Sequence, residues 1–490
     1  MSGITLDWTA IRPLNGGREK GFEELCSQLA RTEAPGGARF VRKGTPDAGV
    51  ECYAVLADGT EWGWQSKYFD TLGDSQWKQL DESVEAAVEK HPQLARYYIC
   101  VPLDLADARI VGKKTGTQWK SAKDQWDEHV TKWRGWAQGK NRTIEFVWWG
   151  SSEMLERLAR TENVGRVRFW FDKRGFDGAW FSARLDEAIR AAGARYTPEI
   201  HVELPIAEDL DAFGRTQRFF NRVKALAIPV REALQRARDS EQPIADAETA
   251  ALTDSLSEAV QTVLNALGAI SHVAAGPLPF TSVVEKIEAT SAPMQALAAD
   301  LEKRATEHDA QQPKDEAGHG RYRPNPFRER GYTLRRLERE LREASDALLR
   351  ADELAASSTF VLRGNAGTGK THLLCDVVKR RVEAHQPTVL LMGQRFVSND
   401  APWSQVLQHL DLAALSAEEF IGALEASAQA SGERALIAID AINEGTGRTV
   451  WPTHLAAFLA QVERSPWLGV VLSVRSSYED VVIPTEVRDR

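Results

Sequence analysis

With 490 residues, the chain is long enough for about two to four domains, each with its own hydrophobic core. Its 43% hydrophobic and 27% charged residues are ordinary for a soluble globular protein. A net charge of −9 excludes a protein coated in basic surface, although a local basic groove for nucleic acid remains compatible with it.

No apolar run in the sequence is long enough to cross a bilayer, and the N-terminus lacks the basic and apolar regions of a signal peptide. The cysteines are scattered and show no metal-ligand spacing: Cys26, Cys52, Cys100 and Cys375. We therefore expect reduced core thiols in a cytoplasmic protein with no membrane partner.

The first zone of the chain, residues 1–175, alternates between helical and strand-like segments. The predicted elements are a helix at 21–29, strands at 50–56 and 61–69, a helix at 77–90, a strand at 97–101, a helix at 119–136 and a strand at 143–149. This alternation predicts an α/β domain with a central sheet.

Acidic and amide side chains in this zone would meet at one edge of the sheet. Glu51 lies on one predicted strand, and Gln65 and Lys67 lie on the next strand after a hairpin. Carboxylate and carbonyl oxygens suit Mg²⁺, and a lysine beside the metal can position or deprotonate water for attack on a phosphodiester. Asp47 in the preceding turn is an alternative to Glu51 as the main acid, and Glu23 on the first helix supports the site.

The order of helix glutamate, strand acid and Gln-x-Lys resembles the PD-(D/E)xK nuclease superfamily, especially its Mrr-like branch. The resemblance covers about residues 18–160 and implies a restriction-endonuclease-like fold that cleaves double-stranded DNA. Most of the superfamily has Glu or Asp where this chain has Gln65, whereas the Mrr-like branch uses Gln-x-Lys. An acid before a hairpin that carries Q-x-K also arises by chance in ordinary β-hairpins.

A basic stretch between residues 112 and 142 is a candidate DNA-contacting surface or the solvated face of a helix. Its basic residues are Lys113, Lys114, Lys120, Lys123, Lys132, Arg134, Lys140 and Arg142. Trp119, Trp126 and Trp133 recur every seven residues, which favours a packing stripe over a base-stacking platform.

The second zone, residues 176–305, is mainly helical and is predicted to be a connector. The expected helices are 179–192, 216–236, 247–267 and 282–304, with one extended stretch at 195–206. Residues 306–330 are polar and rich in Gly and Pro, which predicts a flexible linker. A charged helix at 334–353 then opens the third zone, residues 331–490.

A glycine-rich segment in the third zone fits G-x-x-x-x-G-K-[ST] at every fixed position. Gly364, Gly367 and Gly369 let backbone N–H groups turn toward phosphates, Lys370 would neutralise the β- and γ-phosphates, and the Thr371 hydroxyl would bind Mg²⁺. The segment follows an apolar strand and precedes an amphipathic helix, as a phosphate-binding loop requires. We therefore predict bound ATP and Mg²⁺.

Two later strands supply supporting residues. The apolar strand at 435–440 ends at Asp440, which would hold Mg²⁺ through water. Glu444 beyond it would orient the attacking water, or would simply lie in a solvated turn. Arg475 at the end of the next strand would sense the γ-phosphate, or would form a surface ion pair.

The segments 364–372, 440–444 and the strand ending at Arg475 resemble the STAND class of P-loop ATPases, the signal-transduction ATPases with numerous domains. The resemblance covers about residues 330–490 and implies a parallel-sheet core. In that class a helical lid, a winged helix and a long C-terminal sensor follow the core. Because the sequence ends at Arg490, we expect a fragment that lacks the sensor.

Together, these zones resemble the antiviral STAND proteins of bacteria, with an N-terminal nuclease effector. The resemblance implies a homo-oligomer, a tetramer, that assembles through its ATPase when the sensor meets a phage protein and then cleaves double-stranded DNA. One alternative is an NTP-dependent restriction endonuclease that recognises modified DNA directly. Another is an ATP-switched scaffold that binds DNA without hydrolysing it.

Overall fold

The computed structural model describes residues 6–44, 48–107, 120–172, 174–198, 205–239, 247–311 and 325–488. The chain divides into two compact units, and both are discontinuous in sequence. The first unit contains Met1–Phe181 and Trp403–Ser431, and the second contains Ser182–Pro402 and Gly432–Arg490. These units do not follow the zone boundaries, because a segment of the third zone lies in the first unit.

The first unit contains a mixed five-stranded sheet in the order β1-β2-β3-β4-β5. Its strands are β1 (Arg39–Arg42), β2 (Cys52–Val55), β3 (Glu61–Ser66), β4 (Leu94–Cys100) and β5 (Glu145–Trp149). The pairs β1–β2 and β2–β3 are antiparallel, whereas β3–β4 and β4–β5 are parallel. The four predicted strands are therefore present. Strand β1 was not predicted, because it is short and has charged, exposed residues at both ends.

Helices cover this sheet and bury aromatic side chains against it. The helices of the first unit are α1 (Arg18–Glu33), α2 (Asp74–Lys90), α3 (Ala122–Gln138), α4 (Ser151–Leu158), α5 (Val164–Phe171), α14 (Pro402–His409) and α15 (Ala417–Ser431). Trp126 and Trp133 lie in the core with Trp77 and Trp148. The tryptophan repeat is therefore a packing stripe, while Trp119 lies outside the described residues.

The α14–α15 segment connects two strands of the second unit, β7 (Thr388–Met392) and β8 (Ala435–Asp440), yet α15 packs against α5 within the first unit. A Cβ atom on Gly165 of α5 would lie 2.4 Å from the Cα of Gly422 on α15, so only glycine permits this approach. Arg168 forms an ion pair with Glu419 at 2.8 Å. These contacts explain why residues 403–431 belong to the first unit.

The second unit contains a fully parallel four-stranded sheet in the order β6-β9-β8-β7. Its strands are β6 (Thr359–Gly364), β7 (Thr388–Met392), β8 (Ala435–Asp440) and β9 (Leu468–Arg475). Every residue of β7 and β8 is buried. This burial is typical of parallel strands with both faces covered and explains their continuous apolar sequences.

The remaining helices belong to the second unit, and those that lie within residues 178–310 confirm that the middle region is helical. They are α6 (Gly178–Ala192, which begins in the first unit), α7 (Ile206–Phe213), α8 (Gln217–Ala225), α9 (Ala227–Arg238), α10 (Ala247–Ala269), α11 (Phe280–Ala310), α12 (Pro326–Ala356), α13 (Lys370–Glu383), α16 (Gly447–Val462), α17 (Glu479–Val482) and α18 (Thr485–Arg488). The helix predicted at 216–236 is interrupted at Leu226, which caps both α8 and α9.

The predicted linker at 306–330 is partly helical. Helix α11 continues to Ala310 and α12 begins at Pro326, where the Asn325 side chain accepts hydrogen bonds from the first backbone N–H groups. Residues 312–324 lie outside the described part of the chain. The extended stretch predicted at 195–206 is not a strand in its described first part. Arg195 ends the 3₁₀ turn Gly193–Arg195, and irregular backbone follows up to residue 198.

Among the described residues, no helix is both long and apolar enough to cross a membrane.

Candidate functional site

The glycine-rich loop of the second unit joins the end of β6 to the start of α13. Gly367 and Gly369 have φ angles of +78° and +83°, in the left-handed region that glycine adopts without strain. Gly369 is the N-cap of α13, so the first N–H groups of this helix face the loop. The loop thus offers exposed backbone donors at a helix N-terminus, which is an arrangement that binds anions.

Lys370 lies across this loop. Its Nζ donates hydrogen bonds to the carbonyl oxygens of Gly364 at 2.7 Å and Asn365 at 2.8 Å. Partial burial lowers the pKa of Lys370, and the nearby Asp440 carboxylate opposes this shift. The ammonium group is therefore held by the loop, at the position where the sequence predicts phosphate.

Thr371 and Asp440 meet even though β9 lies between the strands that carry the loop and the carboxylate. The Thr371 hydroxyl donates to Oδ2 of Asp440 at 2.7 Å, and the Ser473 hydroxyl donates to Oδ1 at 2.5 Å. Asp440 is only 1% exposed. A hydroxyl and a carboxylate in direct contact are oxygen ligands of the kind that Mg²⁺ prefers.

The protein supplies few metal ligands here. Among the described residues, no three His, Cys, Asp or Glu side chains form a metal-binding cluster. Mg²⁺ commonly keeps several waters and is bound by one or two protein ligands together with substrate phosphates. The Thr371–Asp440 pair fits that mode of binding.

Glu444 and Arg475 are paired with each other. Arg475 Nη2 contacts Oε1 of Glu444 at 3.2 Å, and Arg195 Nη1 contacts Oε2 at 3.1 Å. The Asn443 side chain accepts a hydrogen bond from the Arg475 backbone N–H at 3.0 Å. Glu444 is therefore not simply part of a solvated turn, since both of its carboxylate oxygens are held by arginines.

These residues line a single pocket of about 270 Å³ at the carboxyl ends of the strands. The lining includes 366–372 of the loop, with Asp440, Glu444 and Arg475. Ligands of open α/β sheets bind at this edge of the sheet. The structure thus brings together most of the predicted nucleotide-binding residues; Gly364 contributes the carbonyl that holds Lys370.

Three residues of this pocket that contact Asp440, Glu444 or Arg475 were not predicted: Arg195, Asn443 and Ser473. Ser473 is a single hydroxyl within an apolar strand, and that interruption was a readable signal. Asn443 is 1% exposed but sits in a turn, where a buried role is not evident from sequence. Arg195 lies far from the loop in sequence, so no local pattern connects the two.

The predicted acid–amide pair of the first unit is also formed. The Glu51 backbone N–H donates to the Trp64 carbonyl at 3.0 Å, which extends the β2–β3 ladder. Gln65 Nε2 donates to Oε1 of Glu51 at 3.0 Å. The Ser66 backbone N–H donates to Oε2 at 3.2 Å, and the Ser66 hydroxyl also donates to Oε2. Glu51 is thus fixed in direct contact with Gln65.

The amide oxygen of Gln65 lacks a partner. Gln65 is 1% exposed, and its Oε1 accepts no hydrogen bond from any described residue. A buried carbonyl oxygen without a donor carries a free-energy penalty of about 1–3 kcal/mol, which a bound cation would remove. The carboxylate and this oxygen together suit a hard divalent cation.

The other predicted residues of this site have different outcomes. Lys67 directly follows β3, is half-buried and donates its backbone N–H to the Cys100 carbonyl at 2.9 Å. Asp47 lies outside the described residues, so the choice between Asp47 and Glu51 stays open. Glu23 is not drawn into the site, because it pairs with Lys20 on the outer face of α1.

The neighbouring Glu24 is the acidic residue of α1 that points inward. It is 2% exposed, accepts a hydrogen bond from Gln28 Nε2 at 3.0 Å and pairs with Arg42 of β1. Helical periodicity separates the two glutamates by about 100°. The sequence predicted Glu23 as the supporting acid of this helix, whereas Glu24 is the residue that the structure buries.

The candidate DNA-contacting surface is largely neutralised by its own neighbours. Its described lysines are paired as Lys120–Glu128, Lys123–Asp127, Lys132–Asp81 and Lys140–Glu89. Arg142 donates to the backbone carbonyls of His91 and Val88. Lys113 and Lys114 lie outside the described residues. The described part of this stretch is therefore better interpreted as a solvated helix face.

The cysteines match their prediction. Cys26, Cys52, Cys100 and Cys375 are all buried and free. Burial raises the pKa of the Cys375 thiol to about 12 and also raises the pKa values of Cys26 and Cys52. The thiols of Cys26, Cys52 and Cys375 are therefore protonated and unreactive near neutral pH.

The sequence matches no protein-family model, and a comparison with curated proteins found no similar chain.

Proposed function

We propose that the second unit binds a nucleoside triphosphate, ATP, together with Mg²⁺. The observation that supports this most strongly is the 2.7 Å hydrogen bond between the Thr371 hydroxyl and Asp440. It brings the last residue of the loop motif to a buried carboxylate on a different strand. In a glycine-rich turn that matched the motif by chance, a hydrogen bond from this position to a buried carboxylate would not be expected.

The residues of the pocket would have distinct roles. The loop N–H groups and Lys370 would bind the phosphates, since the ammonium needs only to exchange two carbonyl partners for phosphate oxygens. Thr371 and Asp440 would hold Mg²⁺, which neutralises phosphate charge when bound. Ser473 would keep the Asp440 carboxylate oriented through its 2.5 Å hydrogen bond.

The metal contribution can be tested separately from phosphate binding. In titrations of the purified chain, Mg²⁺ should tighten ATP binding, and Asp440→Asn should remove most of that increase while leaving metal-free binding. The exposed Asp411→Asn serves as a matched control, because Asp411 does not line the pocket. An unchanged Mg²⁺ effect in Asp440→Asn would contradict the assignment of Asp440.

We also propose that the first unit cleaves double-stranded DNA with Mg²⁺. The supporting observation is the Glu51–Gln65 contact with a buried, unpartnered amide oxygen beside it. Glu51 and Gln65 would hold the cation, and Asp47, which lies outside the described residues, is a further candidate acid. Lys67, two residues beyond Gln65, would position or deprotonate the attacking water.

The two activities would be coupled, so that nucleotide binding gates cleavage. The chain supports such coupling, because it leaves β7, forms α14 and α15 within the first unit, and returns to β8, the strand that carries Asp440. The protein would then be a bacterial anti-phage receptor of the antiviral STAND kind. Recognition of a phage protein would drive assembly into a homo-oligomer, a tetramer by resemblance.

Cleavage of plasmid DNA distinguishes the competing functions. The gated nuclease requires Mg²⁺, ATP and trigger, and Lys67→Ala should abolish cleavage while DNA binding persists. A restriction endonuclease would instead depend on DNA modification and need no protein trigger. A scaffold would bind DNA without cleavage in both wild type and Lys67→Ala, and that result would refute the nuclease proposal.

A further inference from the structure

Arg195 lines the nucleotide pocket, although it lies in a segment well before the glycine-rich loop in sequence. Its Nη1 contacts Oε2 of Glu444 at 3.1 Å, and its Nη2 donates to Oε1 of Gln394 at 2.8 Å. Arg195 therefore reaches the same carboxylate that Arg475 holds from the end of β9.

The backbone before Arg195 is held by the same Gln394 side chain that contacts the guanidinium. Helix α6 ends at Ala192 and the chain turns at Gly193, which has a φ angle of +56°. Gln394 Nε2 donates to the Ala191 carbonyl at 2.8 Å, so one side chain holds both the helix end and the guanidinium. This arrangement positions Arg195 rather than leaving it as a mobile surface cation.

The following residues also contact the nucleotide-binding element. The Tyr196 ring lies against the His372 ring with a centroid distance of 5.1 Å, and the Thr197 backbone N–H donates to Nδ1 of His372 at 3.4 Å. His372 is the third residue of α13 and lines the pocket. The segment after α6 is thus linked both to the loop helix and to Glu444.

The charge balance of the pocket depends on Arg195. The lining contains three cations, Arg195, Lys370 and Arg475, and two carboxylates, Asp440 and Glu444. Without Arg195, the formal charges would cancel and the pocket would lose its net attraction for a polyanion. A terminal phosphate offers more charge and more acceptor oxygens than the Glu444 carboxylate, and it matches the guanidinium fork.

We propose that Arg195 senses the terminal phosphate of a bound nucleoside triphosphate. With a diphosphate or no nucleotide, Arg195 and Arg475 hold Glu444 between them. With a triphosphate, the two guanidinium groups contact the terminal phosphate, and the released Glu444 is free to orient water. This inference rests on the proposed nucleotide-binding function and names the residue that distinguishes triphosphate from diphosphate.

Calorimetric titration with ADP and with a non-hydrolysable ATP analogue, both with Mg²⁺, tests the role of Arg195. Arg195→Ala should reduce the preference for triphosphate over diphosphate about tenfold, because a charge-assisted contact to the terminal phosphate is lost. Arg195→Lys should give an intermediate preference for triphosphate, since lysine keeps the positive charge but lacks the two-pronged guanidinium group. Arg190→Ala is the matched control, because Arg190 is exposed on α6 and does not line the pocket.

The outcomes separate this inference from the proposed function. If the wild-type chain binds neither nucleotide, the proposed function itself fails. If the wild type binds both and Arg195→Ala keeps the same preference, the function stands and the role of Arg195 is refuted. Should Arg195→Ala fail to fold, Glu444→Gln decides: it should increase triphosphate preference by freeing both arginines, and an unchanged or reduced preference would refute the inference.

Discussion

Each unit of the protein fixes one buried carboxylate with hydroxyl donors, but the two sites differ in the charge around it. Asp440 receives the hydroxyls of Thr371 and Ser473, and Glu51 receives the Ser66 hydroxyl and the Gln65 amide. Cations line the pocket of Asp440, whereas these donors to Glu51 are neutral. The surroundings, rather than the carboxylate, therefore distinguish the two sites.

This difference indicates that the two sites would bind phosphate in different ways. The pocket of the second unit carries a net positive charge and helix N–H groups, so it attracts a polyanion directly. The first unit presents a carboxylate beside an unpartnered amide oxygen, which favours a cation first. On this account, only the first site requires a metal before it can engage phosphate.

The largest expected effect comes from exchanging the two acids for amides. Glu51→Gln should reduce Mg²⁺-dependent DNA cleavage by about 10³-fold or more, because a metal ligand is lost, while ATP binding stays unchanged. Asp440→Asn should instead weaken Mg²⁺–ATP binding and leave metal binding by the first unit unchanged.

Parallel plasmid-cleavage and ATP-titration assays measure both variants. Glu85→Gln on α2 is the control for Glu51→Gln, because Glu85 is exposed. If Glu51→Gln weakens ATP binding and cleavage equally, the two sites are not separate and the comparison fails.

How far the sequence could predict this molecule also differs between the two sites. Residues 364–371, Asp440 and Arg475 were found because loop and strand-end residues meet wherever parallel strands share an edge. Glu51 and Gln65 were found because a short hairpin fixes their pairing. The sequence thus predicted residues that either follow the ends of parallel strands or face each other across a short hairpin.

Other features depend on contacts between distant segments and could not be predicted this way. The inward orientation of Glu24 instead of Glu23 depends on Arg42 and Gln28, and the role of Arg195 depends on Glu444. The membership of α15 in the first unit depends on the approach of Gly165 to Gly422. Domains predicted as continuous stretches of sequence cannot include a segment such as 403–431, which lies between two parts of the second unit but belongs to the first.

An intermediate effect is expected at this glycine contact. Gly165→Ala should lower the free energy of unfolding of the first unit by about 1–3 kcal/mol, because the new Cβ would overlap the α15 backbone. Gly135→Ala is the matched helical control, since a Cβ at Gly135 meets nothing within 4 Å. The control should be stabilised by about 0.5–1 kcal/mol.

Urea denaturation followed by tryptophan fluorescence measures both glycine variants. Equal stability of the two variants would show that α15 does not pack tightly on α5.

The smallest expected effect is a pH dependence in the second unit. Its hydrogen bond with Glu433 raises the pKa of His272 above 6.5, and the ring also contacts the Arg215 carbonyl at 2.9 Å. A raised pKa stabilises the folded state fully below the unfolded value of 6.5, and this stabilisation is lost as pH rises through the folded pKa. His272→Gln should therefore flatten the decrease in stability above pH 6.5, as measured by thermal unfolding at several pH values.

Nucleotide titration of the Lys370→Ala variant tests the central claim most directly. The account predicts that the wild-type chain binds Mg²⁺–ATP and that Lys370→Ala weakens this binding by about 10²-fold, because a preorganised cation is removed from the loop. Lys379→Ala, on the same helix and outside the pocket, should bind as the wild type does. Equal ATP affinity in Lys370→Ala and Lys379→Ala would contradict the account.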